Sequence, residues 1–419
     1  MTDKNLFLYD LAVVAIMKDE EHYVKEWLDY HLLAGVNHFY IYDNESTAEF
    51  KKILQPYIDA GLVTYKFYPG KARQYTAYNH AFKNFRYQCR YMAFIDADEF
   101  ILPKSKPTII EIADEIFGDS QTSAALGINW LMFGSNGLEK ADFSRGVLER
   151  FTRRCADVNH HTKAIINPRK IKFFQNPHFA TYYEGTFAVN EHGEQFGGAF
   201  NESKTVDKIA IHHYHFKTRE EYAVKVNRGS PTGYSGKTFA AFDEGDKSAN
   251  EIFDDAILKY RDARLAELNS DGGRNIFDGA QINCQSLFNA LSQNLLQTTQ
   301  KNIPSLFFYG KLETFLTCLN LTAYLEEKFI DKVAAGFFRE VSLNAVYRTL
   351  NTGVSVYDLL LILSEMPKIL KFNYPAVKNI RNACINLLPQ VIEAFRLNKK
   401  WQELNELEYT LEMLKTFEK

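Results

Sequence analysis

The sequence predicts an α/β protein in which a mostly parallel, doubly wound sheet precedes an all-α C-terminal domain. Between residues 11 and 102, short apolar runs alternate with segments of helical periodicity, which is typical of parallel strands joined by helices. From residue 246 onward the pattern is almost wholly helical. A chain of 419 residues is also long for one hydrophobic core. We therefore predict two domains, at residues 1–245 and 246–419.

The elements of the first domain follow from local signals. The strands at residues 11–17 and 91–95 are expected because apolar residues run together there, as in a strand that is buried on both faces. Gly35 and Gly61 each stand where a helical pattern stops, as glycines that end helices do. The expected strands are residues 11–17, 36–42, 62–67 and 91–95, and the expected helices are 23–32, 53–58 and 74–85. No G-x-G-x-x-G follows the first strand and no P-loop is present, which disfavours those dinucleotide and ATP folds.

Composition and charge narrow the class of protein. Hydrophobic residues make up 46% and charged residues 24% of the chain, which is typical of a globular protein. The net charge of -3 argues against a nucleic-acid partner. The five cysteines are scattered without a C-x-x-C pair, so a reducing cytoplasm fits best. We expect no signal peptide and no membrane span, and hence a cytoplasmic protein that at most contacts the inner face of a membrane.

The strand at residues 91–95 ends in the carboxylates Asp96, Asp98 and Glu99. A buried strand should not end in clustered acids without compensation, and a divalent cation is the simplest compensation. Alternation along a strand places Asp96 and Asp98 on one face. In open α/β sheets this carboxyl edge is also where ligands bind. The alternative is that a D-x-D triplet arises by chance, in a solvated turn or a helix cap.

The family resemblance extends over roughly residues 10–240. The segments MKDEEHYVKEWLDYHLLAGVNHFYIYDNES, QYTAYNHAF and YMAFIDADEFI resemble successive motifs of GT-A-type glycosyltransferases, particularly the family 2-like and family 92 (DUF23-related) group. The resemblance implies transfer of a sugar from a nucleotide-sugar, usually with Mn²⁺ or Mg²⁺. By position, Asp43 resembles the acid that contacts the base or ribose, Asp96 the acid near ribose and metal-bound water, and Asp98 the direct metal ligand.

Further donor contacts are expected along the same sheet edge. Arg73 and Gln74 can reach the phosphates or the sugar of the donor, and Lys18 can do the same. Each has a simpler explanation: Lys18 and Arg73 can be merely solvated, Glu20 can favour a helix N-terminus, and Asp43 can cap a strand-to-helix turn. We keep Glu20 with the donor-binding candidates.

The middle of the chain supplies acceptor and phosphate candidates through the same resemblance. Relatives carry a W-x-x-F-G-S-x-G segment at residues 130–137, which implies an acceptor-side loop with Trp130, Ser135 and Asn136. Trp130 can equally belong to the core. A later K-x-I-x-x-P segment makes Lys163 a candidate for phosphate contact, with Arg169 beside it, and His178 a candidate site residue.

A second cluster, at residues 211–229, matches the H-Y-x-x-K-S-x-E-E-x-x-x-K-x-x-x-G segment of relatives, with Thr218 where serine is common. His213 is the positional match to a late metal ligand, with His212 and His215 as alternatives, and strand alternation places His215 on the same face as His213. Imidazole is a good ligand for manganese. Lys217 and Lys225 are expected to place positive charge near the leaving diphosphate; the alternative is a solvated helix face.

The remaining features leave their roles open. Residues 231–236 form a glycine-rich turn that suits a mobile lid over the donor. Helices are expected at residues 250–268, 281–300, 306–321, 324–338, 356–366, 376–395 and 401–417. For the helical domain, homo-oligomerisation, acceptor recognition and peripheral membrane contact all stay open.

The leading functional hypothesis is a metal-dependent hexosyltransferase. It would move a sugar from a nucleotide-diphosphate sugar, expected to be a UDP-sugar, to a hydroxyl group of a glycan or lipid-linked acceptor in bacterial surface polysaccharide synthesis. An inverting reaction would need a carboxylate base, and Glu184, Asp142, Asp157 and Glu139 are candidates, of which Glu184 is our choice. The rivals are a metal-dependent phosphoesterase, and a non-catalytic module that binds nucleotide-sugars or glycans.

Overall fold

The computed structural model describes residues 3–118, 120–228, 238–270, 275–277, 282–299, 312–352, 354–398 and 401–417. The expected lid at residues 231–236 and the beginning of the helix expected at 306–321 lie outside these residues. The chain divides into two compact units, one of residues 9–281 and one of residues 1–8 with 282–419.

The first unit is built around a ten-stranded sheet. Two small sheets, β9–β10 and β7–β14, accompany it. The strands of the unit are β1 (Tyr9–Met17), β2 (His38–Asp43), β3 (Val63–Phe67), β4 (Cys89–Phe94), β5 (Glu99–Pro103), β6 (Ser123–Met132), β7 (Arg153–Arg154), β8 (Asn159–Ile166), β9 (Ile171–Phe174), β10 (Ala180–Tyr182), β11 (Phe187–Val189), β12 (Gln195–Phe196), β13 (Ile209–His213) and β14 (Ile252–Phe253). The order in the main sheet is β12-β11-β6-β8-β4-β1-β2-β3, and β13 pairs with β5 and β6.

The α/β class and the four predicted strands are confirmed. The pairs β1–β2, β1–β4 and β2–β3 are parallel, whereas β8 runs antiparallel between β4 and β6. Because β1, β2 and β4 are parallel, their carboxyl ends meet at one edge, which brings the segments after Met17, Asp43 and Phe94 together.

Helices cover the sheet and carry much of its core. They are α1 (Val24–Leu33), α2 (Ala48–Asp59), α3 (Gln74–Phe85), α4 (Ile109–Phe117), α5 (Val147–Arg150), α6 (Arg219–Arg228), α7 (Phe239–Ser248) and α8 (Ala256–Ser270). Trp27 and Tyr30 of α1 are buried, and they donate hydrogen bonds to the backbone carbonyls of Glu99 and Ile101 at 2.8 Å and 3.0 Å. Helix α1 thus fixes β5, the strand that begins beside the acidic triplet.

The boundary between the two units differs from the predicted one at 245/246. Helix α8 packs against α1 and α5, and its Ile257 joins the core of the first unit. The first unit therefore extends to residue 281. The helix predicted at residues 250–268 begins only at Ala256, after the strand β14 at Ile252–Phe253, and a helical pattern cannot tell which core a helix joins.

The second unit is helical. It contains a short 3₁₀ helix (Lys4–Leu6) and α9 (Cys284–Thr299), α10 (Leu312–Lys328), α11 (Lys332–Asn351), α12 (Val356–Ile369), α13 (Pro375–Leu397) and α14 (Trp401–Thr416). The predicted break between residues 321 and 324 is wrong, because α10 continues to Lys328 and Asp331 caps the next helix by accepting from the backbone of Val333 and Ala334. No helix within the described ranges is both long and apolar enough to cross a membrane.

Candidate functional site

The acidic triplet forms a tight turn between β4 and β5. The backbone N–H of Asp96 donates to Oε2 of Glu99 at 2.9 Å, and the backbone N–H of Glu99 donates to the carbonyl of Asp96 at 3.1 Å. Glu99 is fully buried, so it is a structural member of the turn. Asp96 and Asp98 are left to face the sheet edge.

Asp96 is held by residues from two other elements. Lys163 of β8 donates to its Oδ2 at 2.9 Å, and Gln74 at the start of α3 donates to its Oδ1 at 2.8 Å. Only 1% of the Lys163 side chain is exposed, and its Nζ lies 3.6 Å from Glu99. The predicted donor contacts Gln74 and Lys163 therefore do reach the site, where they position and neutralise an acid.

Asp98 lies among the residues of the second predicted cluster. Its Oδ2 accepts a hydrogen bond from Lys225 of α6 at 2.5 Å, and its Oδ1 lies 3.5 Å from Nε2 of His213. One ligand atom from each of Asp98, His213 and His215 lies within 4.8 Å of the others. The structure thus brings together three of the four predicted metal ligands, while Asp96 stands beside them in its ion pair with Lys163.

The three neighbouring histidines His212, His213 and His215 separate in the fold. His212 is fully buried and stacks on Phe133 with ring centroids 4.6 Å apart, so it is a core residue. His213 is the last residue of β13, and His215 therefore reaches the site from the segment after the strand. His213 and His215 do lie close together, but strand alternation does not place them, because His215 lies beyond the end of β13.

Neighbouring positive charge keeps Asp96 and Asp98 ionised. Burial would raise the pKa of Asp96 and of Asp98, but Lys163 lowers the first and Lys225 lowers the second well below its usual value. Burial raises the pKa of Glu99 well above its usual value, which Lys163 only partly offsets. Asp96 and Asp98 are thus carboxylates at neutral pH, the form that a cation binds.

The donor set fits Mn²⁺ better than Mg²⁺. A carboxylate with two imidazoles suits manganese, whereas magnesium prefers oxygen ligands and here would find only the one carboxylate. Nδ1 of His213 is buried and has no hydrogen-bond partner within the described part of the chain. The same carboxylate already carries Lys225, so a bound cation would have to share Asp98 with that ammonium group or displace it.

Asp43 and Arg73 have structural partners of their own. Both oxygens of Asp43 are engaged, one by the backbone N–H of Ser46 at 2.8 Å and the other by the hydroxyl of Tyr65 at 2.6 Å. This is the strand-to-helix turn that we weighed against a nucleotide contact. Arg73 is exposed and donates to the carbonyl of Pro69.

Lys18 and Glu20 lie in the segment between β1 and α1, at the same edge. Lys18 is half-buried, whereas Glu20 is buried with its carboxylate 3.9 Å from Nζ of Lys217. Lys217 itself lies with its Nζ 3.3 Å from the centre of the Tyr23 ring. Burial lowers the pKa of Lys217, although Glu20 and Asp98 favour its charged form.

The predicted acceptor loop divides into two parts. Trp130 lies beside the metal candidates, with its ring 4.4 Å from that of His213 and stacked on His161 at 5.1 Å. Ser135 instead binds Asp246 through its backbone N–H and its hydroxyl, both at 2.6 Å. Asn136 binds Asn250, Thr152 and Arg153. Ser135 and Asn136 hold the turn in place, and acceptor binding by them stays a prediction.

The base candidate Glu184 is exposed in the turn between β10 and β11. A cleft of about 490 Å³ lies beside Asp98, and Glu184 is not one of the residues that line it. A catalytic role for Glu184 stays a prediction that the geometry does not favour.

Sequence analysis missed one network that lies next to Asp98. Arg150 of α5 and Glu221 of α6 form a buried pair with two hydrogen bonds of 2.9 Å, and the hydroxyl of Tyr23 donates to the same carboxylate at 2.8 Å. Arg150 and Glu221 are 71 residues apart, so no local pattern joins them. The E-E pair in the matched segment was the only signal that pointed to Glu221.

Comparisons with a family model and with known proteins agree on one family. Residues 13–263 match the model of Glycosyltransferase family 92. A glycosyltransferase family 92 protein of Ricinus communis is 26% identical over 167 residues, which are 39% of this chain and 29% of that protein. Another, from Oryza sativa subsp. japonica, is 25% identical over 166 residues, 38% of this chain and 27% of that protein. The chain thus matches less than a third of the length of these relatives.

More distant similarity is weaker. A glycosyltransferase family 92 protein of Arabidopsis thaliana is 22% identical over 236 residues, 52% of this chain and 37% of that protein. The crystal structure of S. aureus TarS aligns with 84% of this chain and 55% of that chain at 13% identity, with a TM-score of 0.24. Because the family match extends from β1 into α8, over more than half of the sequence, the chain belongs to glycosyltransferase family 92.

Proposed function

We propose that this chain is a metal-dependent glycosyltransferase that moves a sugar from a nucleotide-diphosphate sugar, a UDP-sugar in the first instance, to a hydroxyl group of a glycan or lipid-linked acceptor. The observation that carries the proposal is the convergence of Asp98, His213 and His215 at the carboxyl edge of the sheet in a family 92 chain. The relatives compared above are plant proteins, so they do not support the bacterial acceptor that we expected.

The chain's own residues suit a leaving diphosphate. Asp98, His213 and His215 would hold the Mn²⁺ or Mg²⁺, which when bound supplies positive charge to the diphosphate oxygens. Lys217 and Lys225 line the cleft beside Asp98 and add positive charge where negative charge develops. Lys163 keeps Asp96 ionised and in place, so that the acid can accept a hydrogen bond from a donor hydroxyl group.

The outer donor contacts are part of the proposal. Lys18, Asp43 and Arg73 lie at or beside the carboxyl ends of β1, β2 and β3, where the nucleoside of a donor would lie. Homo-oligomerisation through the helical unit and contact with a membrane surface stay predictions.

A thermal-shift panel tests the proposed function. A ligand that binds only the native state stabilises it by mass action and so raises the melting temperature. At a concentration one hundred times its Kd, it adds about 2.7 kcal/mol to the free energy of unfolding. We expect UDP with Mn²⁺ to raise the melting temperature more than GDP or CDP with Mn²⁺, and UDP alone to raise it less. No shift with any nucleoside diphosphate would reject the donor site. Phosphate release without an acceptor would favour a phosphoesterase.

Lys225→Met is expected to raise the affinity of the nucleotide-free protein for Mn²⁺ by at least about tenfold. The ammonium group of Lys225 lies 2.5 Å from Asp98, and two like charges a few ångströms apart repel by several kcal/mol at an effective dielectric constant of about 20. Isothermal titration with Mn²⁺ alone measures the change.

The matched control for that titration is Lys259→Met, on an exposed face of α8 where Lys259 pairs with Asp255 four residues earlier. Its Mn²⁺ affinity should equal that of the wild type. Equal affinity of Lys225→Met and wild type would show that Lys225 does not compete for the site.

A further inference from the structure

A cleft of about 490 Å³ opens beside Asp98. Its inner wall carries Asp98, Lys217 and Lys225, the residues that the proposed function places at the donor diphosphate. The more exposed part of the lining, the outer wall, comes from the segment before α1, from Ala141 and Phe143 in the connection between β6 and α5, and from one face of α6. The cleft therefore leads from solvent to the place where a donor sugar would be transferred.

The outer wall exposes a stacked aromatic pair. The rings of His22 and Phe143 lie 3.8 Å apart and within 12° of parallel. Phe143 is 48% exposed, and Val224 across the cleft is 59% exposed. Exposed apolar side chains in a cleft indicate a ligand surface, and a flat ring suits the apolar face of a sugar. Because Phe143 carries His22 on one face and has Arg150 over its ring, the flat face that the pair offers to a ligand is that of the exposed His22.

Phe143 is also held in place from behind. The guanidinium group of Arg150 lies 5.7 Å from the centre of the Phe143 ring, and Arg150 is fixed by its buried pair with Glu221. The edge of the Phe143 ring meets Tyr23, whose hydroxyl donates to the same Glu221. A rigid platform binds with less loss of conformational entropy than a mobile one.

The outer wall of the cleft differs in charge from the end at which the proposed function places the donor diphosphate. Asp98 is balanced by Lys225 and Glu221 by Arg150. The other charged residues that line the cleft are the acids Asp19, Glu20, Glu21 and Glu220 and the base Lys217, whose Nζ lies 3.9 Å from Glu20, so the lining has an excess of negative charge. Such a wall repels phosphate groups and accepts hydrogen bonds from hydroxyl groups.

We propose that this cleft binds a neutral sugar of the acceptor, with the His22–Phe143 pair as the stacking platform. The inference rests on the proposed function and adds to it the side from which the acceptor enters and its class: an uncharged, hydroxyl-rich ring. It differs from the acceptor loop expected from sequence, because the platform is the His22–Phe143 pair rather than Trp130, Ser135 and Asn136.

The test measures retention of the full chain on an array of immobilised neutral and sialylated oligosaccharides, in the presence of UDP and Mn²⁺. We expect the wild type to bind neutral glycans. Phe143→Ala should lose at least about tenfold in apparent affinity, and Phe143→Tyr, which keeps the ring, should retain it. The thermal shift with UDP and Mn²⁺ should be the same in all three proteins, since Phe143 lies outside the donor contacts.

Several outcomes would overturn the inference. They are the absence of neutral glycan binding by the wild type, a preference for sialylated glycans, unchanged binding by Phe143→Ala, and loss of the UDP shift in Phe143→Ala. These failures differ from failure of the proposed function, in which the wild type itself shows no shift with UDP and Mn²⁺.

Discussion

Asp98→Asn is expected to lower the rate of sugar transfer at least about a thousandfold. Asparagine keeps the size of the side chain but removes the charge that binds the cation and pairs with Lys225. Stabilisation of transition-state charge by a bound metal is worth several kcal/mol, and each 1.36 kcal/mol is a factor of ten in rate. The rate of nucleoside diphosphate release with and without acceptor measures the effect.

A second readout assigns the loss to the cation. The Mn²⁺-dependent part of the thermal shift with UDP should disappear in Asp98→Asn. Asp59→Asn, at the exposed end of α2, makes the same chemical change away from the site and should leave rate and shift unchanged. An Asp98→Asn protein with a wild-type Mn²⁺-dependent shift would mean that Asp98 acts without the metal.

Local features of the first unit could be predicted from sequence because their signals are local. An apolar run that ends in polar residues predicted β1, β2 and β4 to within a few residues, and Gly35, with φ of 97°, does follow the end of α1. The shared edge of parallel strands then brought Asp96 and Asp98 to the expected place. No relation between distant residues was needed for these steps.

The partners of the acids could not be predicted in the same way. Lys163 pairs with Asp96 because β8 runs antiparallel beside β4, and no local periodicity indicated that reversal in a mostly parallel sheet. For the same reason the sequence could not show that Ser135 pairs with Asp246, 111 residues away. Long-range pairing decided which polar residues face the site and which hold a turn.

The helix boundaries show a different limit. Residues 321–324 are helical in α10, although the sequence there suggested a break, since buried residues on both sides of that segment pack in one core. Tertiary packing overrides a weak local preference. The start of α11 at Lys332 depends on the cap at Asp331, whose side-chain contacts are visible only in the structure.

Glu221→Gln is expected to lower the free energy of unfolding of the first unit by about 3–5 kcal/mol, the usual effect of breaking a buried ion pair by removing one charge. The change leaves the guanidinium group of Arg150, whose side chain is 2% exposed, without its carboxylate. It also weakens the hydrogen bonds from Thr218 and Tyr23. Urea unfolding followed by tryptophan fluorescence measures the loss, since Trp27 and Trp130 both lie in this unit.

The pH dependence of the free energy of unfolding distinguishes the effect of the charge on Glu221 from the effect of its packing. Burial would raise the pKa of Glu221, but hydrogen bonds from Arg150, Thr218 and Tyr23 lower it from 4.5 to about 2. A pKa that is lower in the folded state gives stability that is complete above about pH 5 and is lost as the pH falls towards 2. The difference between wild type and Glu221→Gln should therefore shrink across that window.

Two further variants fix the interpretation of the Glu221 result. Glu49→Gln removes an exposed ion pair with Lys52 and should change the free energy of unfolding by at most about 1 kcal/mol. The side chains of Glu49 and Lys52 are 60% and 72% exposed.

The double replacement Arg150→Met with Glu221→Leu removes both buried charges and should recover most of the lost stability, because neither charge is left unpaired. It should still bind neutral glycans less tightly than the wild type, since the support behind Phe143 has changed. A double variant as unstable as Glu221→Gln would show that packing, rather than the unpaired charge, accounts for the loss.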